Sequence, residues 1–133
     1  MNIVIDTSVI IAVIAGEPER DILIERTRGA HLLAPSSVHW EIGNALSAML
    51  KRKRISLDRA ADAIAAYQQV PIRLVDIELE DALHIANTLD IYAYDAYLIQ
   101  TALEYRAPLI SLDTYLLECA RRVKVSIIEV SRC

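Results

Sequence analysis

The sequence predicts an α/β fold, a parallel sheet with helices covering both faces. Three observations carry this. Short apolar runs alternate with longer stretches of helical periodicity from one end of the chain to the other. The short runs are apolar at consecutive positions rather than at every second one, as expected of strands buried on both sides. Gly (3) and Pro (4) are scarce among the 133 residues, which leaves little room for long loops.

The elements follow in order. "NIVI" (2–5) is the first strand, and helical text runs on to Gly16. "EPERDILIERTRGA" (17–30) reads as a second helix, with Pro18 near its start, where a missing N–H is harmless. "HLLAP" (31–35) is a strand. "SVHWEIGNALSAMLKRKR" (37–54) is a helix with Ile42, Ala45, Leu46 and Met49 as its apolar stripe. "SLDRAADAIAAYQQ" (56–69) is an alanine-rich helix capped by Ser56 and stopped by Pro71. "IRLV" (72–75) is a strand. "ELEDALHIANTL" (78–89) places Leu79, Ala82, Leu83 and Ala86 on one helical face, and "YDAYLIQTALEYRA" (94–107) is a further helix. "PLISL" (108–112) is a strand, "TYLLECARRV" (114–123) a helix, and "VSIIEV" (125–130) a fifth and last strand. No repeat, linker or low-complexity segment interrupts this, so residues 1–133 are expected to form a single domain.

A hydrophobic content of 54% and a mean hydropathy of +0.30 suffice for a core and suggest an additional buried interface. No apolar run is long enough for a membrane span, and the first residues lack a basic region and a cleavage site, so a cytoplasmic protein is expected. Cys119 and Cys133 show no metal-ligand spacing. A disulfide between them is possible, and free thiols suit a reducing compartment. The net charge of −4 argues against nucleic acid on its face, yet it is also the sign expected if acids gather to hold a divalent cation.

In open α/β sheets ligands bind beyond the carboxyl ends of the strands, at a switch point in strand order. Asp6, Asp76 and Asp113 each follow a predicted strand. The ordinary role for such an acid is to cap the next helix. Two further acids stand close to apolar stripes. Asp95 is spaced with Leu98, Ile99 and Ala102, and Glu41 precedes Ile42, Ala45 and Leu46, with Asn44 one turn on. Their ordinary role is a first-turn acid favoured by the helix dipole. No Lys or Arg lies within three residues of Asp6, Glu41 or Asp113, or within five of Asp95. If these acids converge, an oxygen-ligated ion such as Mg²⁺ or Mn²⁺ is the natural counter-charge. Such an ion activates water and stabilises charge on a phosphate.

"IDTSV" (5–9), "WEIGNAL" (40–46), "YDAYLIQTAL" (94–103) and "LISLD" (109–113) together resemble the four motifs of the PIN-domain ribonucleases. Length and spacing are most similar to the VapC-type toxins of toxin–antitoxin systems. The resemblance spans nearly the whole chain. It implies a three-layer α/β/α sandwich with a five-stranded parallel sheet ordered 3-2-1-4-5, which brings the ends of strands 1 and 4 side by side. It implies Mg²⁺- or Mn²⁺-dependent endoribonuclease activity on an RNA such as a tRNA or ribosomal RNA, by in-line attack of an activated water. Asp6, Asp95 and Asp113 would ligate metal, and Glu41 would hold a metal-bound water or a second ion. Thr7, Asn44 and Ser111 would support the acids by hydrogen bonds. Some relatives carry a further acid after the fourth-strand Asp; here Thr114 and Tyr115 stand there, leaving one or two ions open. Asp76 would end a strand at the far edge and take no part. The implied partners are an antitoxin protein that covers the active-site groove and a second copy of the chain.

The remaining features divide between ordinary and functional roles. Lys51–Arg54 and the cluster Arg121, Arg122 and Lys124 suit helix C-termini, or alternatively bind RNA phosphates. Tyr92, Tyr94 and Tyr97 could stack on bases, but such tyrosines more often pack at an interface. Trp40 is expected in the core or an interface, and His31, His39 and His84 are scattered structural or solvated residues. Two rivals to the nuclease are a PIN-fold binding module without activity and an Asp-based phosphoryl-transfer domain. The second lacks the additional acid and the strand-end Lys that such chemistry needs.

Overall fold

The computed structural model describes residues 1–130. Its elements are β1 (Asn2–Ile5), α1 (Thr7–Ile14), α2 (Arg20–Thr27), β2 (His31–Pro35), α3 (Ser37–Lys51), α4 (Leu57–Gln69), β3 (Ile72–Val75), α5 (Leu79–Leu89), α6 (Ala93–Tyr105), β4 (Leu109–Ile110) and α7 (Thr114–Arg122). All strand pairs are parallel, and the sheet order is β3-β2-β1-β4. Val4 pairs with Leu33 on one side and Leu109 on the other, so β1 is central. The chain steps outward from β1 to β3, then crosses back over to β4. Right-handed crossovers therefore place α1–α4 on one face and α5–α7 on the other. The contacts agree: α1 packs on α2, α3 and α4, while α6 packs across β1, β2 and β4.

The apolar runs build the core that sequence patterning implies. Ile3, Val4, Ile5, Leu33, Leu109 and Ile110 are buried in the sheet, and Leu23, Val38, Ile99 and Leu116 cover it. Ser56 caps α4 by accepting from Arg59 N at 3.2 Å, as its position suggests. Asp90 and Arg106 end α5 and α6 in the left-handed conformation.

The expectation of five strands is corrected: among the described residues the sheet has four. The segment 125–130 does run parallel beside β4, but it makes a single bridge, Leu109 with Ile127. Leu109 N donates to Ser126 O and Ile128 N to Leu109 O, each at 2.9 Å. The template is too short for a ladder, because β4 leaves the sheet after Ile110 and Glu129 O is taken by the Arg26 side chain at 3.1 Å. Three smaller expectations also change. Helix α3 stops at Lys51 rather than at 54, and Lys53 turns away with φ of 56°. Leu79 and Leu83 are exposed, because α5 packs chiefly on α6 and turns Ala82 and Leu89 inward instead. Trp40 is 76% exposed and so has no place in the core. Cys119 is a buried free thiol; Cys133 lies outside the described residues. No helix among the described residues is long and apolar enough to cross a membrane.

The layering makes a direct prediction about stability. Ile99→Ala, at a fully buried position of α6, should destabilise the protein by about 2–5 kcal/mol, while Leu83→Ala on the outer layer should cost less than about 1 kcal/mol. Urea denaturation of the two variants measures the difference.

Candidate metal and nuclease site

Asp6 follows β1 directly and caps α1, with its backbone extended (φ −97°, ψ 174°). Its side chain is buried, and both oxygens are held. Oδ1 accepts from Ser8 Oγ at 2.6 Å and from Val9 N at 3.2 Å, and Oδ2 accepts from Ser111 Oγ at 2.5 Å. Both hydroxyls pass the network on. Ser8 Oγ accepts from Leu112 N at 3.1 Å, and Ser111 Oγ accepts from Asp113 N at 2.9 Å. The ends of β1 and β4 are thus stitched together through one carboxylate. Asp113 caps α7, its Oδ1 accepting from Tyr115 N at 3.0 Å and Leu116 N at 3.2 Å. The ordinary capping role is therefore real for Asp6 and Asp113, and it accounts for one oxygen of each.

Glu41 sits in the second turn of α3, half-buried. Thr7 Oγ1 donates to its Oε1 at 3.4 Å, and its Oε2 is buried with no hydrogen-bond partner. Asp95 lies in the first turn of α6, partly buried, and accepts no hydrogen bond among the described residues. The helix dipole favours Asp95 in its first turn without neutralising it, whereas Glu41 lies beyond the first turn expected for it and gains little from the dipole.

The four acids feel one another. Burial raises the proton affinity of Asp6, opposed by the bonds from Ser111, Ser8 and Val9, and the charge of Asp113 raises it further. Burial likewise raises Glu41, opposed by the neighbouring hydroxyls of Ser37 and Thr7, and the charges of Asp6 and Asp95 add to the rise. The Ser37 hydroxyl is close enough to act on the carboxylate but completes no hydrogen bond to it. Asp95 is raised by burial and by Asp113. Ion pairs among the described residues join Arg20 to Asp21, Arg28 to Glu25 and Arg121 to Glu129, and none reaches these four acids.

Oxygen-only donors, an orphaned Glu41 oxygen and uncompensated negative charge fit Mg²⁺ or Mn²⁺. No three His, Cys, Asp or Glu side chains among the described residues form a ready coordination cage.

Of the three supporting residues expected, Thr7 and Ser111 make their bonds to Glu41 and Asp6. Asn44 does not; it stands exposed on the wall of a cleft of about 580 Å³ lined also by Thr7, Ser37, Trp40, Glu41, Ala45 and Tyr94. Asp76 lies apart at the edge strand β3, held by Ser36 Oγ at 2.9 Å. Ser8 and Ser37 escaped the sequence reading. Ser8 stands two residues after a capping Asp, and Ser37 one turn before Glu41, spacings at which local side-chain bonds are common.

The profile of the PIN domain matches residues 3–122. The chain belongs to the PIN-domain family. Solved structures with the same fold include PAE2754 from Pyrobaculum aerophilum, at 21% identity and a TM-score of 0.73, covering 96% of this chain and 83% of that one. VapBC2 from Rickettsia felis, bound to a DNA fragment from its promoter, superposes with a TM-score of 0.66 at 13% identity, covering 96% and 98% of the two chains. A toxin–antitoxin complex from Klebsiella pneumoniae gives 0.68 at 14% identity, covering 98% of each. No curated protein matches the chain. The PIN-domain sheet of this protein thus keeps the β1–β4 neighbourhood that brings Asp6 and Asp113 together, although its fifth strand is reduced to a bridge.

The raised carboxyls make a signed prediction. A carboxyl whose proton affinity is higher in the folded than in the unfolded state binds more protons when folded. Stability therefore falls as pH rises from the ordinary carboxylate range, about 4, through the raised values. Metal-free protein should melt at a lower temperature at pH 7 than at pH 5. The difference should shrink in Asp6→Asn, which retains a good capping residue, and on adding Mn²⁺. Scanning calorimetry across pH tests this; a melting temperature that rises from pH 5 to 7 would contradict it.

Proposed function

We propose that this PIN-domain protein is a divalent-metal-dependent endoribonuclease and the toxin of a toxin–antitoxin pair. What supports the reading is that Asp6, Glu41, Asp95 and Asp113 act on one another electrostatically at the switch point, with no ion pair to any of them among the described residues. In this reading Asp6, Asp95 and Asp113 hold Mg²⁺ or Mn²⁺, directly or through water. When bound, the ion supplies Lewis acidity and positive charge toward the scissile RNA phosphate. Asp6 is the fixed point, since Ser8, Val9 and Ser111 immobilise it. Ser111 also holds Asp113 through its amide, so one hydroxyl sets the relation of two ligands. Glu41, with raised proton affinity and an unpartnered Oε2, is placed to orient the attacking water and to take its proton.

Two neighbours of the same fold are toxin–antitoxin assemblies, which supports a protein partner here. An apolar groove of about 350 Å³, lined by residues such as Ile10, Val13, Ile14, Ile24 and Val70, offers such a partner surface to cover. A second copy of the chain belongs to the same reading. The substrate is a cellular RNA of the tRNA or ribosomal class.

Asp6→Asn should abolish RNA cleavage, as should EDTA, with the circular dichroism spectrum unchanged. Ser111→Ala should lower cleavage by about 10–100-fold, the usual effect of removing a hydrogen bond that orients a metal ligand. Growth arrest on expression, relieved by Asp6→Asn, followed by mapping of RNA ends, tests the toxin reading. Undiminished cleavage by Asp6→Asn would remove the metal-site assignment, and no cleavage over a broad RNA panel would favour a binding module.

A further inference from the structure

We infer that Trp40 and Tyr94 form a stacking platform for an unpaired nucleobase beside Glu41. This rests on the nuclease reading for the nature of the chain bound, but not on cleavage itself.

Both rings line the 580 Å³ cleft that also contains Glu41, one from α3 and the other from α6. Trp40 is 76% exposed and Tyr94 59%, an unusual expense of aromatic surface in a protein with one Trp and no Phe. Neither ring is isolated. Trp40 meets His39 edge to face at 4.9 Å, and His39 Nδ1 is bonded to Tyr67 Oη at 2.9 Å. Tyr94 meets Tyr97 edge to face at 5.8 Å. Each exposed ring is therefore braced by a neighbour, which lowers the entropy lost when a base is stacked on it. Asn44, on the same wall and without a bond to Glu41, adds a donor and an acceptor for a base edge.

Charge selects nucleic acid over a protein as occupant. Glu41, Asn44, Ala48 and Lys51 fall on one stripe of α3. At 1.5 Å per residue, the ten steps from Glu41 to Lys51 span about 15 Å, a few nucleotide steps. That stripe ends in the exposed turn Lys51, Arg52, Lys53 and Arg54, which enters none of the ion pairs among the described residues. A strand laid along α3 thus has its base on the rings, its scissile phosphate at the acids and its flanking phosphates at the basic turn. A duplex hides its base faces and cannot use the rings.

Trp40 is the single tryptophan, so its emission reports stacking directly. The full chain is titrated in low salt with EDTA, which prevents cleavage, using a short single-stranded oligoribonucleotide and the same strand annealed to its complement. The expected result is saturable quenching by the single strand and little by the duplex. Anisotropy of a labelled strand should show binding at least about tenfold weaker for Trp40→Ala and for Tyr94→Ala, with Trp40→Phe close to wild type. Binding of the single strand without quenching, alanine variants that bind like wild type, or no binding of the single strand would each overturn the inference. Emission that shifts with protein concentration alone would overturn it too, and would assign the rings to contact between copies. A protein that stacks RNA but never cuts it would end the nuclease reading and leave this one standing.

Discussion

The structure depends on one buried carboxylate. Asp6 closes three hydrogen bonds, and through Ser8 and Ser111 it reaches the amides of Leu112 and Asp113. Strands β1 and β4 are joined in the ladder by only two residue pairs, so the polar network extends their association past the point where the sheet ends. Burying a carboxylate is unfavourable unless its oxygens are satisfied. Here the satisfying groups are also the backbone that aims Asp113. The same bonds that make Asp6 tolerable thus set the separation between two acids at the mouth of the sheet.

From this follows the tension in the site. Hydrogen bonds lower the proton affinity of Asp6 and burial raises it, with burial the larger effect. Glu41 and Asp95 are raised in the same direction, each partly by another acid of the group. A purely structural network would be expected to end on an Arg or Lys. This one has no ion pair to any of the four acids among the described residues. This uncompensated charge is what the divalent ion proposed above would balance.

Much of this was legible from residues alone, for identifiable reasons. Consecutive apolar residues in "NIVI" and "HLLAP", bounded by polar or turn residues, read as doubly covered strands, and Asp6 falls at a strand end by counting. Convergence was not legible by counting, because α3 and α6 approach the sheet through tertiary packing. The four motifs taken together supplied the expectation, and the match to the PIN domain shows the family. The expected fifth strand failed where sequence is weakest: "VSIIEV" has strand composition, but pairing depends on how much of β4 remains in the sheet. Leu79 and Leu83 failed similarly, since periodicity marks an apolar face without saying whether anything covers it. Ser8 and Ser37 are hydroxyls with no motif of their own, although Ser8 bonds Asp6 and Ser37 lies near Glu41 at local spacings.

The central claim is that the four acids at the switch point are gathered for a divalent ion. Crystals grown with Mn²⁺ and measured at a wavelength where manganese scatters anomalously test it most directly. The account predicts an anomalous peak bounded by Asp6, Asp95 and Asp113, with Glu41 reached directly or through water, and no peak in Asp6→Asn crystals. A wild-type map with no manganese among these carboxylates, or with a Lys or Arg side chain filling the space between them, would contradict it.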